Sequence, residues 1–406
     1  MRRRVVLALV VVALLLSWVV NPFRATARGW FFGTLDGAGG ANGATTNNVG
    51  SYNAGLVYGG APHNWYYDVT SGDLRHGWWT GTVWATETLD GAGGANGATT
   101  NDVGSYISVV LYNGQPHVWY WDVSNHDLRH GWWNGSGWAF ETLDGAGGAN
   151  GATTNDVGSW SSAILYNGEP HVWYYDITDA DLRHGWWNGS GWAFETLDGN
   201  VNLGANGQIT NNVGRYTAAI LYGEQPHVWY YDVTADDLRH GWWNGEAWAF
   251  ETLDGAGGGS GRTTNAVGAS SSATLYNGEP HVWYFDSTGG DLRHAWWNGS
   301  GWTFETLDGN GTTNGQTNNV VGRYNTVALY NGEPHVWYFD DTGGDLRHAW
   351  WNGLGWVFET LDGNGTSNSR TDNVAGLWNS VVVVDADIHV FNYEPIAGDA
   401  RQACFC

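Results

Sequence analysis

Four kinds of side chain recur together in an order suited to polar recognition beside an aromatic surface. Arg183, His184, Trp187 and Glu195 illustrate the set. They supply a planar cationic donor, an imidazole, a flat apolar face and a carboxylate acceptor. The same four stand at Arg75, His76, Trp79 and Glu87, and again at Arg129, His130, Trp133 and Glu141. They return at Arg239, His240, Trp243 and Glu251, at Arg293, His294, Trp297 and Glu305, and at Arg347, His348, Trp351 and Glu359. An indole can stack on the C–H face of a sugar ring, and Arg and Glu can bind its hydroxyls. Weak sites of this kind, multiplied on one molecule, gain avidity on a glycan-covered surface.

Catalysis fits the pattern less well, because every candidate acid, base or nucleophile is copied six or seven times. The sequence has no Gly-x-Ser-x-Gly elbow, His-Glu-x-x-His helix, phosphate loop or sialidase Asp-box. A paired-carboxylate hydrolase on a central axis is the remaining enzymatic arrangement, and no repeat is marked out for it.

The same residues also have structural uses. Most Trp suit an apolar core between packed sheets. The Asp of Asp-Leu-Arg-His can close a turn, and its His can satisfy buried polar groups. If Asn134-Gly135 forms a two-residue turn, Gly131 faces Trp138 across the hairpin. A one-residue change of register instead sets Arg129 opposite Glu141.

The elements that must position these groups follow from the repeat. Thr-Leu-Asp-Gly recurs with its Asp at Asp36, Asp90, Asp144, Asp198, Asp254, Asp308 and Asp362, at intervals of 54 residues except one of 56. A His that usually opens His-Val-Trp-Tyr keeps the same spacing from His63 to His389. One repeat reads as four short strands, a near Val157 to Tyr166, b His171 to Ile177, c Leu182 to Trp187 and d Trp192 to Leu197. Asn-Gly pairs between aromatic and β-branched runs mark the hairpins. The period predicts an all-β fold, a seven-bladed β-propeller of four-stranded antiparallel blades. The segment Trp30 to Asp36 is a lone strand d, and the last repeat stops after strand c. The N-terminal strand is therefore expected to complete the C-terminal blade and close the ring, hiding its edges.

Composition bounds the setting. The chain has 406 residues, 29 Trp, 62 Gly and a formal charge of -24, and all 16 of its basic residues are Arg. Such acidity predicts repulsion from nucleic acid and anionic lipid. Residues 1-27 read as a signal peptide. Arg2 to Arg4 precede an apolar run from Val5 to Val20, and Ala25-Thr26-Ala27 precedes a cut at Arg28. Secretion is the expectation, with residues 28-406 as one propeller domain and no membrane insertion after cleavage. The alternative is an uncleaved anchor. Cys404 and Cys406 are the only cysteines. A bridge across one intervening residue is expected to be strained, so they are read as terminal apolar residues open to oxidation. No cofactor is predicted. Calcium at the Gly-, Asn- and Thr-rich d–a loops is considered and not predicted, for they lack the order and bidentate Glu of an EF-hand.

The run Leu182-Arg183-His184-Gly185-Trp186-Trp187-Asn188-Gly189, continued by Trp192 and Glu195-Thr196-Leu197, resembles the blade motif of the PLL-like lectins. These are bacterial seven-bladed propellers. The likeness covers nearly all of residues 28-406. It implies binding of fucose or related, sometimes O-methylated, sugars in pockets between neighbouring blades. The fungal fucose lectins are a more distant comparison: where they use Arg on strand b and Glu on strand c, this chain has Val172 and His184. The expectation is a multivalent lectin with up to seven sites and glycans as partners. Its alternatives are a cell-surface protein-binding scaffold and a secreted polysaccharide hydrolase or lyase.

Overall fold

In the computed structural model the described residues are 28–406 without 39, 41–42, 95–96, 149–150, 200–205, 258, 312 and 364–368. The signal-peptide and anchor readings lie outside them. Among the described residues no helix is long and apolar enough to cross a membrane.

The chain forms seven antiparallel sheets of four strands each, with strand order a-b-c-d. In the third blade the strands are Val157–Tyr166, Glu169–Asp176, Asp181–Trp187 and Trp192–Asp198. The a strands of neighbouring blades lie against one another around the axis, and the d strands form the outer wall. The seventh blade is composite. Trp30–Asp36 pairs antiparallel with Asp399–Phe405, setting Trp30 opposite Phe405 and Phe32 opposite Ala403. The seven-bladed ring closed by the N-terminal strand is as expected.

Between blades lie apolar cores. Trp119, Leu128 and Leu143 of the second blade pack with Val157, Val172 and Tyr174 of the third. Trp119 and its five counterparts in His-Val-Trp-Tyr (Asn in the first repeat) are fully buried. Each such ring contributes a large apolar area to the core.

Three local readings need correction. The c–d hairpin loop has four residues, closed by Asn134 N–H on the Gly137 carbonyl at 3.0 Å. Trp133 therefore faces Trp138, and Gly131 faces Phe140. A Cβ on Gly131 would stand 2.9 Å from Phe140 Cδ1, so that ring fills the space. The same register sets Arg129 opposite Thr142 and His130 opposite Glu141; Arg129 does not pair with Glu141. Finally, Cys404 and Cys406 form a disulfide, with Cα atoms 5.7 Å apart.

The invariant Asp-Gly after each d strand is a joint between blades. Asp90 Oδ1 accepts from Gly91 N–H and Thr99 N–H, and Oδ2 accepts from Tyr120 and Arg129 of the next blade. Gly145 follows its Asp with φ +119°, and a Cβ there would meet Asp127 Oδ1 at 2.1 Å. Only glycine fits.

Candidate functional site

The structure separates the four residue types singled out above. The arginines leave the surface. Arg129 binds Asp90, Arg183 binds Asp144, and equivalent pairs join every blade to its predecessor, from Arg75–Asp36 to Arg401–Asp362, at 2.6 to 3.1 Å. Arg129, Arg239, Arg293 and Arg347 each also donate to a Thr hydroxyl on strand d. These pairs are buried and use their hydrogen bonds within the protein, a structural role.

The histidines and glutamates do come together. His130 Nδ1 lies 2.9 Å from Glu141 Oε1, and His130 Nε2 lies 2.9 Å from Nδ1 of His117 on strand b. The register explains the row. His130 faces both Trp119 on strand b and Glu141 on strand d, so the three side chains share one face of the blade. The arrangement recurs at His63–His76–Glu87, His171–His184–Glu195, His227–His240–Glu251, His281–His294–Glu305 and His335–His348–Glu359, with spacings of 2.9 to 3.0 Å.

Electrostatics set the direction of each relay. Burial lowers the His130 pKa despite the opposing pull of Glu141. Burial, then the adjacent His130, brings His117 down to about 3. Both rings are therefore neutral at pH 7, with one N–H each. Glu141 accepts, so the His130 proton sits on Nδ1 and its Nε2 accepts from His117 Nδ1–H. His117 Nε2 is left as an acceptor. The Glu141 side chain is 39% exposed while that of His130 is 5% exposed, so the carboxylate carries the relay to the surface.

The recess in front of the relay is built by two blades. Tyr112, His117, His130, Trp132 and Glu141 come from the second blade, and Pro170, Trp187 and Trp192 from the third, around a volume of about 210 Å³. The matching recess between the fourth and fifth blades holds about 280 Å³ and contains Glu251, Trp297 and Trp302. Trp187 and Trp192 meet at 71° with centroids 6.0 Å apart, and Trp192 stands edge-on to His130 at 5.6 Å. Trp187 thus serves the recess before its own blade, while His184 and Glu195 serve the one after. The equivalent sequence positions give Trp133, Trp243, Trp297 and Trp351 the same role, each toward the recess before its own blade. Trp79 faces the join of the seventh and first blades. The lining residues cluster beside the a–b and c–d hairpins, so the recesses open on the rim opposite the d–a loops.

The chain ends alter the pattern. Trp30 takes the strand d place in the sixth recess, where its indole N–H donates to Glu359 Oε1 at 3.3 Å. In the seventh blade Gly33 stands at the Glu position and Gln402 at the second His, next to His389. Six full relays exist among the described residues.

Strand b His, the first Trp of strand c and the first Trp of strand d were not among the sequence candidates. Their fixed offsets from Asp-Leu-Arg-His were available in the repeat, but the four-residue hairpin had to be known to place them. A second group was also missed. Near the start of strand a, two bulges interrupt the ladder, and a non-glycine residue at the second has positive φ. It is Tyr52, Tyr106, Trp160, Tyr216, Ser270, Tyr324 or Trp378, with φ from 50° to 56°. These residues line a cavity of about 160 Å³ on the axis. Among the described residues no cluster of three or more His, Cys, Asp or Glu side chains is disposed to hold a metal ion.

No family model matches the chain, and no curated protein matches it. Several solved structures are similar to the chain at low identity. YCF48 from Cyanidioschyzon merolae is 12% identical with a TM-score of 0.51, covering 92% of this chain and 98% of its own. The dihydro-heme d1 dehydrogenase NirN in complex with DHE is 8% identical with a TM-score of 0.49, covering 89% and 67%. An exo-β-1,3-galactanase from Phanerochaete chrysosporium is 10% identical with a TM-score of 0.39, covering 93% and 95%. At 12% identity the likeness to YCF48 is one of fold alone.

Proposed function

We propose that this propeller is a secreted, multivalent carbohydrate-binding protein whose sites are the six relay-backed recesses between blades. The observation that carries the reading is the pairing of tryptophan walls with polar groups that accept. His117 Nε2 and the remaining oxygen of Glu141 both ask for O–H donors, and Trp132, Trp187 and Trp192 ask for an apolar face. A sugar ring offers both on one small body. A neutral sugar suits the site better than an acidic one, since each recess holds a carboxylate in a chain of formal charge -24. The resemblance to PLL-like lectins points in the same direction and suggests fucose or an O-methylated sugar, whose methyl group would rest on indole.

Hydrolysis is less well supported. Paired-carboxylate glycosidases use two acids across the bond, whereas the linings of the two described recesses contain one Glu each. An aromatic cage with a carboxylate also suits a quaternary ammonium, but that ligand gives the His117 acceptor nothing to bind.

The test is a glycan array probed with residues 28–406, followed by competition with free sugar and with choline. Binding released by a defined neutral sugar is expected. A blank array from folded protein would overturn the reading and turn attention to protein partners; release by choline alone would replace sugar with an ammonium ligand.

A further inference from the structure

The axial cavity is a separate site with a different chemistry. Its lining is a belt of six aromatic rings with one break. Neighbouring rings lie close, with centroids 4.0 Å apart for Tyr52–Trp378 and 4.5 Å for Tyr52–Tyr106, Tyr106–Trp160 and Tyr324–Trp378. The break is Ser270, between Tyr216 and Tyr324.

A bulky side chain in the left-handed backbone region is strained, and such strain lasts only where the surroundings over-determine it. Here the next blade does so. Ser161 donates to the Tyr106 carbonyl at 2.7 Å, Asn379 to that of Tyr324 at 3.0 Å and Asn53 to that of Trp378 at 3.0 Å. Thr217 and Asn325 bind the Trp160 and Ser270 carbonyls in the same way. The conformation is therefore held at Ser270 as well, where no aromatic ring uses it.

Charge is concentrated beside this break. Arg215 and Arg323 immediately precede Tyr216 and Tyr324, where the first three blades have Ser51, Ser105 and Ser159. The Arg215 guanidinium lies 5.1 Å from the Trp160 ring centroid and makes no ion pair among the described residues. Its Nε is buried without a partner. Arg323 lies 4.9 Å from the Phe285 centroid and pairs with the part-exposed Asp341 at 3.2 Å. Asp341 offsets Arg323, so Arg215 is what makes the field locally positive at this end of an acidic disc. The rim motifs hardly vary between blades, yet these axial positions do. A rim ligand meets two blades, so copies serve it; a ligand on the axis meets all seven at once, so one asymmetric break serves it. The room decides the size, since a cavity of roughly 150 Å³ takes a benzene ring.

We propose that the break at Ser270 binds one six-membered ring bearing a carboxylate, which completes the aromatic belt with Arg215 supplying the positive field. The ring can come from an acidic saccharide or from an aromatic acid.

The test is calorimetric titration of residues 28–406 with glucuronate, 4-hydroxybenzoate and glucose. One equivalent of an acid per chain is expected, with glucose weaker by at least about tenfold. Ser270→Tyr fills the break with a residue that other blades accept at the same φ, and should weaken the acid by at least about tenfold. Arg215→Gln should weaken it severalfold, and Glu141→Ala should leave it unchanged. Binding of glucuronate alone identifies a saccharide source, and of 4-hydroxybenzoate alone an aromatic one. No acid bound by the folded chain, six equivalents bound, equal affinity for glucose, or indifference to Ser270→Tyr would each overturn the proposal.

Discussion

Asp90 on the last strand of one blade accepts from Arg129 of the next at 2.9 Å, and neither side chain is open to solvent. Removing one partner leaves the other charged and buried. Arg129→Ala should cost about 3–5 kcal/mol of stability, measured by chemical denaturation. The double change Asp90→Leu with Arg129→Met should recover part of that loss. Sugar bound at distant recesses should be unaffected; a fall at all of them with no loss of stability would contradict the structural role given to the arginines.

Glu141→Ala removes the acceptor that orients the whole relay. His130 then has no carboxylate to fix its proton on Nδ1, and His117 Nε2 loses its settled acceptor role. The stoichiometry of sugar binding should drop from six to five, with little change in unfolding midpoint because the Glu141 side chain is 39% exposed. Six sites of unchanged affinity would count against the recess.

The seventh recess can be tested by gain. Gly33 has no atom within 4 Å of an added Cβ, so Gly33→Glu has room, and Gln402→His restores the second imidazole beside His389. The double variant should raise the count of bound sugars to seven if the relay is what the ligand reads. A count that stays at six would show that Val384 and Cys404, which stand where the other relay blades have the strand a Tyr and the first strand c Trp, matter more than the relay.

Stability should fall in acid. His63, His117, His171, His227, His281 and His335 are each lowered to about 3 in the folded chain, first by burial. The unfolded chain therefore binds more protons between pH 6.5 and 3. Stability is complete above about 6.5 and is lost as pH falls toward 3, at about 1.4 kcal/mol per pH unit for each histidine. Asp127 and Asp237, raised to about 6 mainly by burial, act in the opposite sense below pH 6. Eight further carboxyls are also raised, first by burial. Burial likewise lowers the six inner relay histidines and His389, so the histidines outweigh the carboxyls over that range. Thermal melts at pH 7, 5 and 4 should descend in that order; a flat series would mean that the relay imidazoles are already charged at neutral pH.

The blade and its closure were legible in the sequence because they are local and periodic. Asn-Gly turns, the 54-residue spacing and the stray strand at Trp30 to Asp36 each constrain the chain without reference to a neighbour. The site was only half legible. Arg183 and Glu195 are both polar and both recur, and nothing within one repeat says that Asp144 of the preceding blade captures the arginine. Trp187 was read with His184, three residues before it on the same strand, although the packing of blades sends them to different recesses. The axial belt was hidden by its bulges: a residue at positive φ falls outside the alternation by which strand faces are read.

The rim on which the recesses open carries a further consequence. All six face the side of the a–b and c–d hairpins, so under the proposed function one face of the disc would be the adhesive one. It can lie flat on a single ligand-bearing surface and hold it at several points. Clumping two such surfaces together would require two discs joined back to back.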